Sequence, residues 1–575
     1  MTGFSDDATP PVGVKPLIVQ RDRTVLLDLH AEGADLVRRR LARFAELVKS
    51  PDHLHTYRLT PLSLWNAAGS GLGAEEMLSF LDLYSVVKTP KEVRAFVVDV
   101  LGRSGRIRLV RREGALVLDV DAEIREQVLA APKLLDHVAI VDGIVVVDPA
   151  KRGEIKKTLV KAGWPVDDLA GFVSGGALSF RMRTSTRGGS EFEIRDYQDA
   201  AAKAVFADGS ARGGAGVVVL PCGAGKTVVG IRLMELYQTQ TLVLTTNRSA
   251  VDQWIRELLE RTTLTEDEVG EYTGAVKEIK PVTVSTYQIL THRRSATEGF
   301  THFDLFSRND WGLVVYDEVH LLPAPVFRLT AELQARRRLG LTATLVREDG
   351  LEDEVFSLIG PCRYDLPWRE LERKGHIAEA HCIEIRVALP QSSEERYALA
   401  DKKERFRLSS ENDRKFTVVR ELIKKHAKDR VLVIGQFLRQ LHRLQKILGA
   451  PLITSKTPHS ERERLYSAFR TGETPVLIVS KVANFAIDLP DANVAIEISG
   501  QFGSRQEEAQ RLGRVLRKKK DGGGALFYAV VTADTRDQEF AAKRQLFLAE
   551  QGYPYRIMSL EQVMQDVPNR ECVVT

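Results

Sequence analysis

The stretch Leu220-Pro221-Cys222-Gly223-Ala224-Gly225-Lys226-Thr227 most constrains what this chain folds into. It follows the apolar run Gly216 to Val219 and precedes a helical pattern, Val228, Val229, Ile231, Leu233, Met234 and Leu236. Strand, glycine-rich turn and helix come in the order that a phosphate cradle requires. The glycines let backbone N–H groups close on an anion, and the new helix adds its positive dipole end. Lys226 is then placed to reach the β- and γ-phosphates of a nucleotide, and the Thr227 hydroxyl to hold Mg²⁺. Leu220 stands where the strict form of such a loop has glycine or alanine. A fortuitous Gly-x-Gly-Lys-Thr turn is the alternative, and residues further along the chain decide between the two.

At 575 residues the chain is too long for one core and implies about three or four domains. Its net charge of +4 permits a nucleic-acid partner, met by local patches and not by a global field. Cys222, Cys362, Cys382 and Cys572 lie far apart with no Cys-x-x-Cys pair, which excludes a zinc finger or a four-cysteine cluster. Scattered cysteines suit a reducing cytoplasm. Met1 to Gly13 carries Asp6 and Asp7 and has no signal-peptide core, and no apolar run is long enough to span a membrane. The expectation is a soluble, cytoplasmic, multidomain protein with no membrane partner.

Residues 1–55 read as a flexible Pro/Gly/Asp-rich start and an Arg-rich helix from Ala34 to Val48, with Leu36, Leu41, Phe44 and Leu47 on one face. Arg38, Arg39 and Arg40 could touch phosphate, but a solvated helix face is the preferred expectation. Residues 56–120 give helices at Leu62–Ala68, Ala74–Tyr84 and Pro90–Leu101, then strands Arg106–Arg111 and Ala115–Val120 around Glu113-Gly114. Three helices and a hairpin are the plan of a winged-helix module, which either enters a DNA groove or docks on a neighbour. Residues 121–190 begin with a helix and add a hairpin, Val138–Val147, turned by Asp142-Gly143. A basic helix follows with Lys151, Arg152, Lys156, Lys157 and Lys161. Those cations track a phosphate backbone or line a solvated face, with equal economy. Arg181–Ser190 reads as a linker.

Residues 191–385 and 386–575 each alternate apolar β-rich runs with helical patterns, which signals a parallel sheet covered on both faces. The runs are Thr241–Thr245, Val282–Thr286, Gly312–Val315 and Leu339–Thr342, then Val431–Ile434, Pro475–Val479 and Val494–Ile498. Ligands of such sheets bind at the carboxyl ends of the strands. At one such end stands Val314-Val315-Tyr316-Asp317-Glu318-Val319-His320. Asp317 is placed to hold Mg²⁺ through water, and Glu318 to orient and deprotonate an attacking water. Ahead of the loop, the Gln198 amide can pair with adenine while a plane such as the Arg195 guanidinium stacks on the ring. Thr342 and Thr344, at a strand end, can bond the carboxylates and the next lobe. In the second half no Gly-Lys-Thr recurs, but Gln510, Arg514 and Arg517 share one helix face by their spacing. Two guanidiniums there can neutralise charge on a γ-phosphate, or merely continue a solvated basic helix into Lys518–Lys520.

On Pro221–Thr227, Asp317–His320 and Leu341–Asp349 the chain resembles the superfamily-two helicases, and more narrowly the XPB family of DNA repair and transcription helicases. Arg347-Glu348-Asp349 is similar to that family's own marker, implicated in opening duplex DNA. His55–Leu72 and Gly105–Val110 resemble the family's N-terminal region, and residues 111–185 fall where it keeps a damage-recognition domain. Ser480–Pro490 resembles its fifth motif, which implies a ribose contact for Asp488, although Ala483 and Asn484 depart from the Gly-Asp of the family. Thr454–Arg464 is similar to the motif that grips the tracking strand. Residues 391–415 fall where the family inserts a thumb-like element. DNA contact and a solvated helical hairpin both remain open there.

The resemblance implies ATP and Mg²⁺ as cofactors, Arg514 and Arg517 as arginine fingers, and Gln510 as a nucleotide monitor. His320, with Thr342 and Thr344, falls in the coupling motifs. It further implies 3′-5′ polarity on DNA, a place in nucleotide excision repair, and a repair nuclease or larger complex as partner. The expected fold is α/β, two RecA-like parallel-sheet lobes preceded by small α+β modules. The rival functions are a duplex translocase that separates no strands, an RNA helicase, and a damage-binding scaffold with a weak motor.

Overall fold

The apolar run Val217, Val218 and Val219 before the glycine loop and Thr241–Thr245 beyond the helix that follows it make strands with no solvated face. The computed structural model describes residues 15–49, 54–210, 212–221, 223–292, 301–302, 305, 309–322, 326, 336–343, 352–366, 368–374, 380–480, 492–500, 525–550 and 555–565. Apart from the short stretches Lys49–His53 and Pro221–Ala224, residues up to Asp365 form one compact unit and residues from Leu366 on form another.

The first unit opens with strands β1 (Leu17–Val19), β2 (Thr24–Asp28), β3 (Glu46–Lys49) and β4 (Leu54–Arg58) in the order β1-β2-β4-β3. The helix expected over 34–48 stops at Leu41, and Glu46–Lys49 extends instead to join the sheet. Arg38 is buried, which corrects the solvated-face reading at that position. Helices Pro61–Gly69, Ala74–Tyr84 and Lys91–Gly102 follow as anticipated. Pro61 starts the first of them behind a reciprocal Thr60/Ser63 cap.

Next come β5 (Ile107–Arg112), β6 (Ala115–Val120), β7 (Val138–Val141), β8 (Ile144–Val147) and β9 (Asp167–Asp168). Both hairpin turns place two left-handed residues in a row, Glu113-Gly114 (φ 51° and 85°) and Asp142-Gly143 (φ 48° and 76°). That backbone twist matches the strands it joins. All five strands share one sheet, β7-β8-β6-β5-β9, so the hairpin expected as the wing of the three helices pairs onward into the following segment. Its core is Ile107, Leu109, Leu118, Val145, Ile155 and Leu159.

The basic helix, Arg152–Lys161, is solvated only in part: Lys161 is exposed, whereas Arg152 and Lys156 are not. Arg152 and Lys156 are buried on Asp168, with Arg152 Nε 2.9 Å and Lys156 Nζ 3.0 Å from its Oδ2. The expected linker is also tied down. Met182 N–H donates to Glu235 Oε1 at 2.8 Å, and Arg183 Nε donates to Thr262 O at 2.6 Å.

Seven parallel strands then build the first large sheet: β10 (Ala215–Val219), β11 (Thr241–Thr245), β12 (Val269–Tyr272), β13 (Val282–Thr286), β14 (Leu313–Asp317), β15 (Arg337–Thr342) and β16 (Cys362–Asp365). Their order is β12-β13-β11-β14-β15-β10-β16. Val217, Leu242, Val314 and Tyr316 fill its core.

The second unit holds β17 (Ala380–Val387), β18 (Val431–Gly435), β19 (Leu452–Ile453), β20 (Val476–Ser480), β21 (Val494–Glu497), β22 (Ala525–Thr532) and β23 (Tyr555–Met558) in the order β19-β20-β18-β21-β22-β17-β23. Adding seven to each strand number of the first sheet reproduces the second. The two units are therefore strand-for-strand repeats. At the position of the glycine loop, after β17, the second carries Ala388-Leu389-Pro390. The 391–415 insertion is a helical hairpin, Gln391–Leu399 and Lys402–Ser410, closed by an Arg396–Glu404 ion pair.

Candidate nucleotide site

Gly225, at φ 80°, caps the helix Lys226–Tyr237, and Gly223 takes φ 82°, a region that a β-carbon disfavours. A side chain at Gly225 would also bring its Cβ to 2.4 Å from Gln198 Nε2. Leu220 still belongs to the sheet: its N–H donates to Thr342 O at 2.9 Å and its side chain is buried. That accounts for an apolar residue where the strict loop has a small one.

Strand order brings the chemistry together. β10, which leads into the loop, and β14, which ends in Asp317, flank β15, which ends in Thr342. Lys226 Nζ lies 3.3 Å from Glu318 Oε1, and both side chains are largely shielded. Glu318 Oε2 is 3.4 Å from His320 Nδ1, and that nitrogen is 2.7 Å from Thr342 Oγ1. A continuous polar chain thus runs Lys226, Glu318, His320, Thr342. Glu318 itself sits at φ 50°, ψ 54°. A glutamate in the left-handed region carries backbone strain of about 1 kcal/mol or more, of the kind found where a side chain must be aimed.

Asp317 is held by residues that sequence reasoning did not single out. Trp254 Nε1–H donates to Asp317 Oδ2 at 2.9 Å, and Tyr287 O–H donates to the Asp317 carbonyl at 2.8 Å. Trp254 lies on the amphipathic helix Arg248–Arg261 and reads locally as core, so nothing in the pattern marks its N–H. Gly230 lets the indole approach, since a β-carbon there would stand 2.6 Å from it. Burial and then the neighbouring Glu318 charge push the Asp317 carboxyl up to about 6, against the pull of Trp254 and Lys226.

The remaining expected residues are placed as follows. Gln198 is buried, its Oε1 accepts from Arg195 N–H at 3.0 Å, and Arg195 Nη1 donates to Tyr197 Oη at 2.9 Å. Thr227 follows Lys226 in the first helical turn, half-buried. Pro221 and Ala224 are buried and Gly223 is exposed. Cys222, Thr344, Arg347, Glu348, Asp349, Asp488, Gln510, Arg514 and Arg517 lie outside the described residues.

The donor set fits Mg²⁺ with a nucleotide. Among the described residues no three His, Cys, Asp or Glu side chains gather as a metal cage. Mg²⁺ held by a carboxylate, a hydroxyl and phosphates needs none. Also among them, no helix is long and apolar enough to cross a membrane.

Two repeated parallel sheets, the first with a Gly-Lys-Thr turn and an Asp-Glu strand end, define a two-lobed RecA-like helicase core. Residues 371–573 match the ERCC3/RAD25/XPB C-terminal helicase family, residues 191–347 the family of the type III restriction enzyme res subunit, and residues 17–139 a helicase conserved C-terminal domain family. The chain is 51% identical to the DNA 3′-5′ helicase XPB of Mycobacterium tuberculosis over 554 residues, 96% of this chain and 98% of that one. It is 51% identical over 565 residues to the protein of the same name from Kineococcus radiotolerans, covering 97% and 99%. To the general transcription and DNA repair factor IIH helicase/translocase subunit XPB of Encephalitozoon cuniculi it is 32% identical, covering 97% and 84%. The chain belongs to the XPB family of DNA 3′-5′ helicases.

Proposed function

We propose that this protein is an ATP-driven 3′-5′ DNA helicase or translocase that opens or remodels duplex DNA during repair, with nucleotide excision repair as its setting. The Lys226–Glu318 contact at the carboxyl edge of the first sheet carries the catalytic reading. A lysine and a catalytic carboxylate that pair with each other cannot both serve a nucleotide. When a triphosphate enters the cradle, Lys226 exchanges Glu318 for phosphate oxygens, and Glu318 is freed to take a proton from the attacking water. His320, bridging Glu318 and Thr342, passes that change to the end of β15, and the sequence beyond it reads Thr344 and then Arg347-Glu348-Asp349. Thr227 and Asp317 would hold Mg²⁺, which would offset phosphate charge. Arg514 and Arg517 supply guanidiniums from the second lobe, Gln510 monitors the nucleotide, and Asp488 meets its ribose. The Gln198 amide, whose oxygen accepts from Arg195 N–H, would pair with adenine.

DNA is the substrate that the names of the relatives support, and a repair nuclease the partner that the family resemblance suggests. The buried thiols of Cys362 and Cys382 suit a cytoplasmic setting. ATP hydrolysis measured with single-stranded, duplex, forked and bubble DNA and with RNA tests the reading. Stimulation by forked or bubble DNA, with strand displacement, is expected. Stronger stimulation by RNA, or tight bubble binding without turnover, would overturn it.

A further inference from the structure

The segment Glu352–Asp365 runs from the site-bearing part of the first sheet to Leu366, where the second unit begins. It contains the helix Glu352–Leu358 and β16. β16 is the outermost strand of its sheet, bonded on one side only, to β10. By itself such a strand is the easiest part of a sheet to peel.

Two separate N-terminal elements grip this segment. From the helix Pro61–Gly69, the Trp65 ring packs on Phe356 at 5.9 Å between centroids, and Asn66 Oδ1 accepts the outer-edge N–H of Cys362 at 3.0 Å. Gly69 closes on the turn before β16, where a β-carbon would come within 2.9 Å of Pro361 Cβ. Trp65 is in turn pinned by its N–H to Val100 O at 3.0 Å. From the basic helix, Lys157 Nζ lies 2.7 Å from Glu354 Oε1, with Lys161 at 3.9 Å. Glu354 is nine-tenths buried, so removing Lys157 would leave a largely buried carboxylate without its nearest cation. Lys156 and Lys157, which could have tracked a phosphate backbone, are engaged with carboxylates of the protein instead.

We infer that residues 61–69 and 152–161 form a clamp that fixes Glu352–Asp365 to the first lobe as an anchor for the motor's stroke, with Lys157–Glu354 as its charged latch. The inference rests on the helicase reading above. Movement of the second unit pulls on the first through this chain connection. A loose segment would absorb the displacement, and a clamped one transmits it. Lys157, Glu354 and Asn66 are positioning residues and take no part in hydrolysis.

The test uses the full chain with Lys157→Glu, the exchanged pair Lys157→Glu/Glu354→Lys, and Asn66→Ala. Two quantities are read: base pairs opened per ATP on forked DNA, and hydrogen exchange across 352–365. Lys157→Glu should leave basal hydrolysis and the KM for ATP unchanged, lower base pairs opened per ATP about fivefold, and speed exchange in the segment. The exchanged pair should recover at least half of the loss. Asn66→Ala should reproduce the phenotype without altering any charge. Wild-type coupling with unchanged exchange in all three proteins would sink the clamp alone. So would a fall in basal hydrolysis that matches the fall in opening and that the exchanged pair does not reverse. A wild-type chain with no DNA-stimulated hydrolysis would instead sink the helicase reading, and the anchor role with it.

Discussion

The indole N–H of Trp254 donates to the Oδ2 of Asp317 at 2.9 Å, from a ring that is almost wholly buried. It stabilises the ionised carboxylate against burial and against the neighbouring charge of Glu318. Asp317 is therefore aimed by a side chain of another helix as well as by its own strand.

Replacing Trp254 by Phe keeps most of the apolar contact and removes only the donor. A hydrogen bond to a charged group contributes about 1.5–3 kcal/mol, so the Asp317 carboxyl should titrate roughly one to two units higher. The acid limb of DNA-stimulated hydrolysis, taken at subsaturating Mg²⁺, should move to higher pH, with a weaker apparent affinity for Mg²⁺. An unmoved acid limb with unchanged Mg²⁺ dependence would show that the contact is only packing.

Lys226→Ala and Glu318→Gln should each lower DNA-stimulated hydrolysis by about 100-fold or more, with an unaltered circular dichroism spectrum. The two differ in their effect on Asp317. Glu318→Gln removes a like charge and should lower the Asp317 pKa, whereas Lys226→Ala removes a favourable charge and should raise it. Full hydrolysis in both variants would refute the site.

Asp317 also gives metal-free stability a pH dependence of definite sign. Its carboxyl ionises at about 6 when folded, against an ordinary value of 3.8. Between those values the folded chain keeps a proton that the unfolded chain has lost. Its contribution favours folding below pH 3.8 and is lost as pH rises to about 6. Adding Mg²⁺ with a nucleotide analogue near pH 5.5 should release protons, seen as binding heats that depend on the ionisation enthalpy of the buffer. At pH 8 that dependence on Asp317 should vanish, and in Asp317→Asn it should be missing at both.

Both large sheets were legible because their central strands are buried on both faces. β11 and β13 run as unbroken apolar and threonine stretches bounded by turns. β17 was not legible, since His381, Glu384 and Arg386 interrupt it. Glu384 is fully buried there, satisfied by Arg386 at 2.6 Å and by Tyr555 O–H at 3.1 Å, partners that only the folded sheet supplies. Of the candidate site, Lys226, Asp317 and Glu318 could be proposed from local pattern because a glycine-rich turn and a strand-end carboxylate pair are each contiguous in sequence. Trp254 could not, because an aromatic on an apolar helix face looks the same whether or not its N–H is used. The basic helix misled for a related reason. Charge pairing with Asp168 and Glu354 is long-range and leaves no period in the sequence.

Asp168 gives the sharpest test of that misread helix. Burial raises its pKa, but Lys156 and Arg152 outweigh burial and hold it at about 2. Arg338 of β15, almost fully buried, adds to the positive field, and the Phe172 ring lies within 5.5 Å of the Arg152 and Arg338 guanidiniums. Asp168→Asn leaves several buried cations with no carboxylate among them and should cost about 3–5 kcal/mol, read as a lower denaturation midpoint. Lys156→Met should cost less, because Arg152 still pairs with Asp168 and the removed cation was itself destabilised by burial. In acid, the stabilisation from Asp168 should hold down to about pH 4 and be lost as pH falls from 3.8 toward 2, a loss that Asp168→Asn cannot show. Equal midpoints for Asp168→Asn and the parent at pH 7 would mean that the cluster, for all its burial, contributes nothing to holding the module in place.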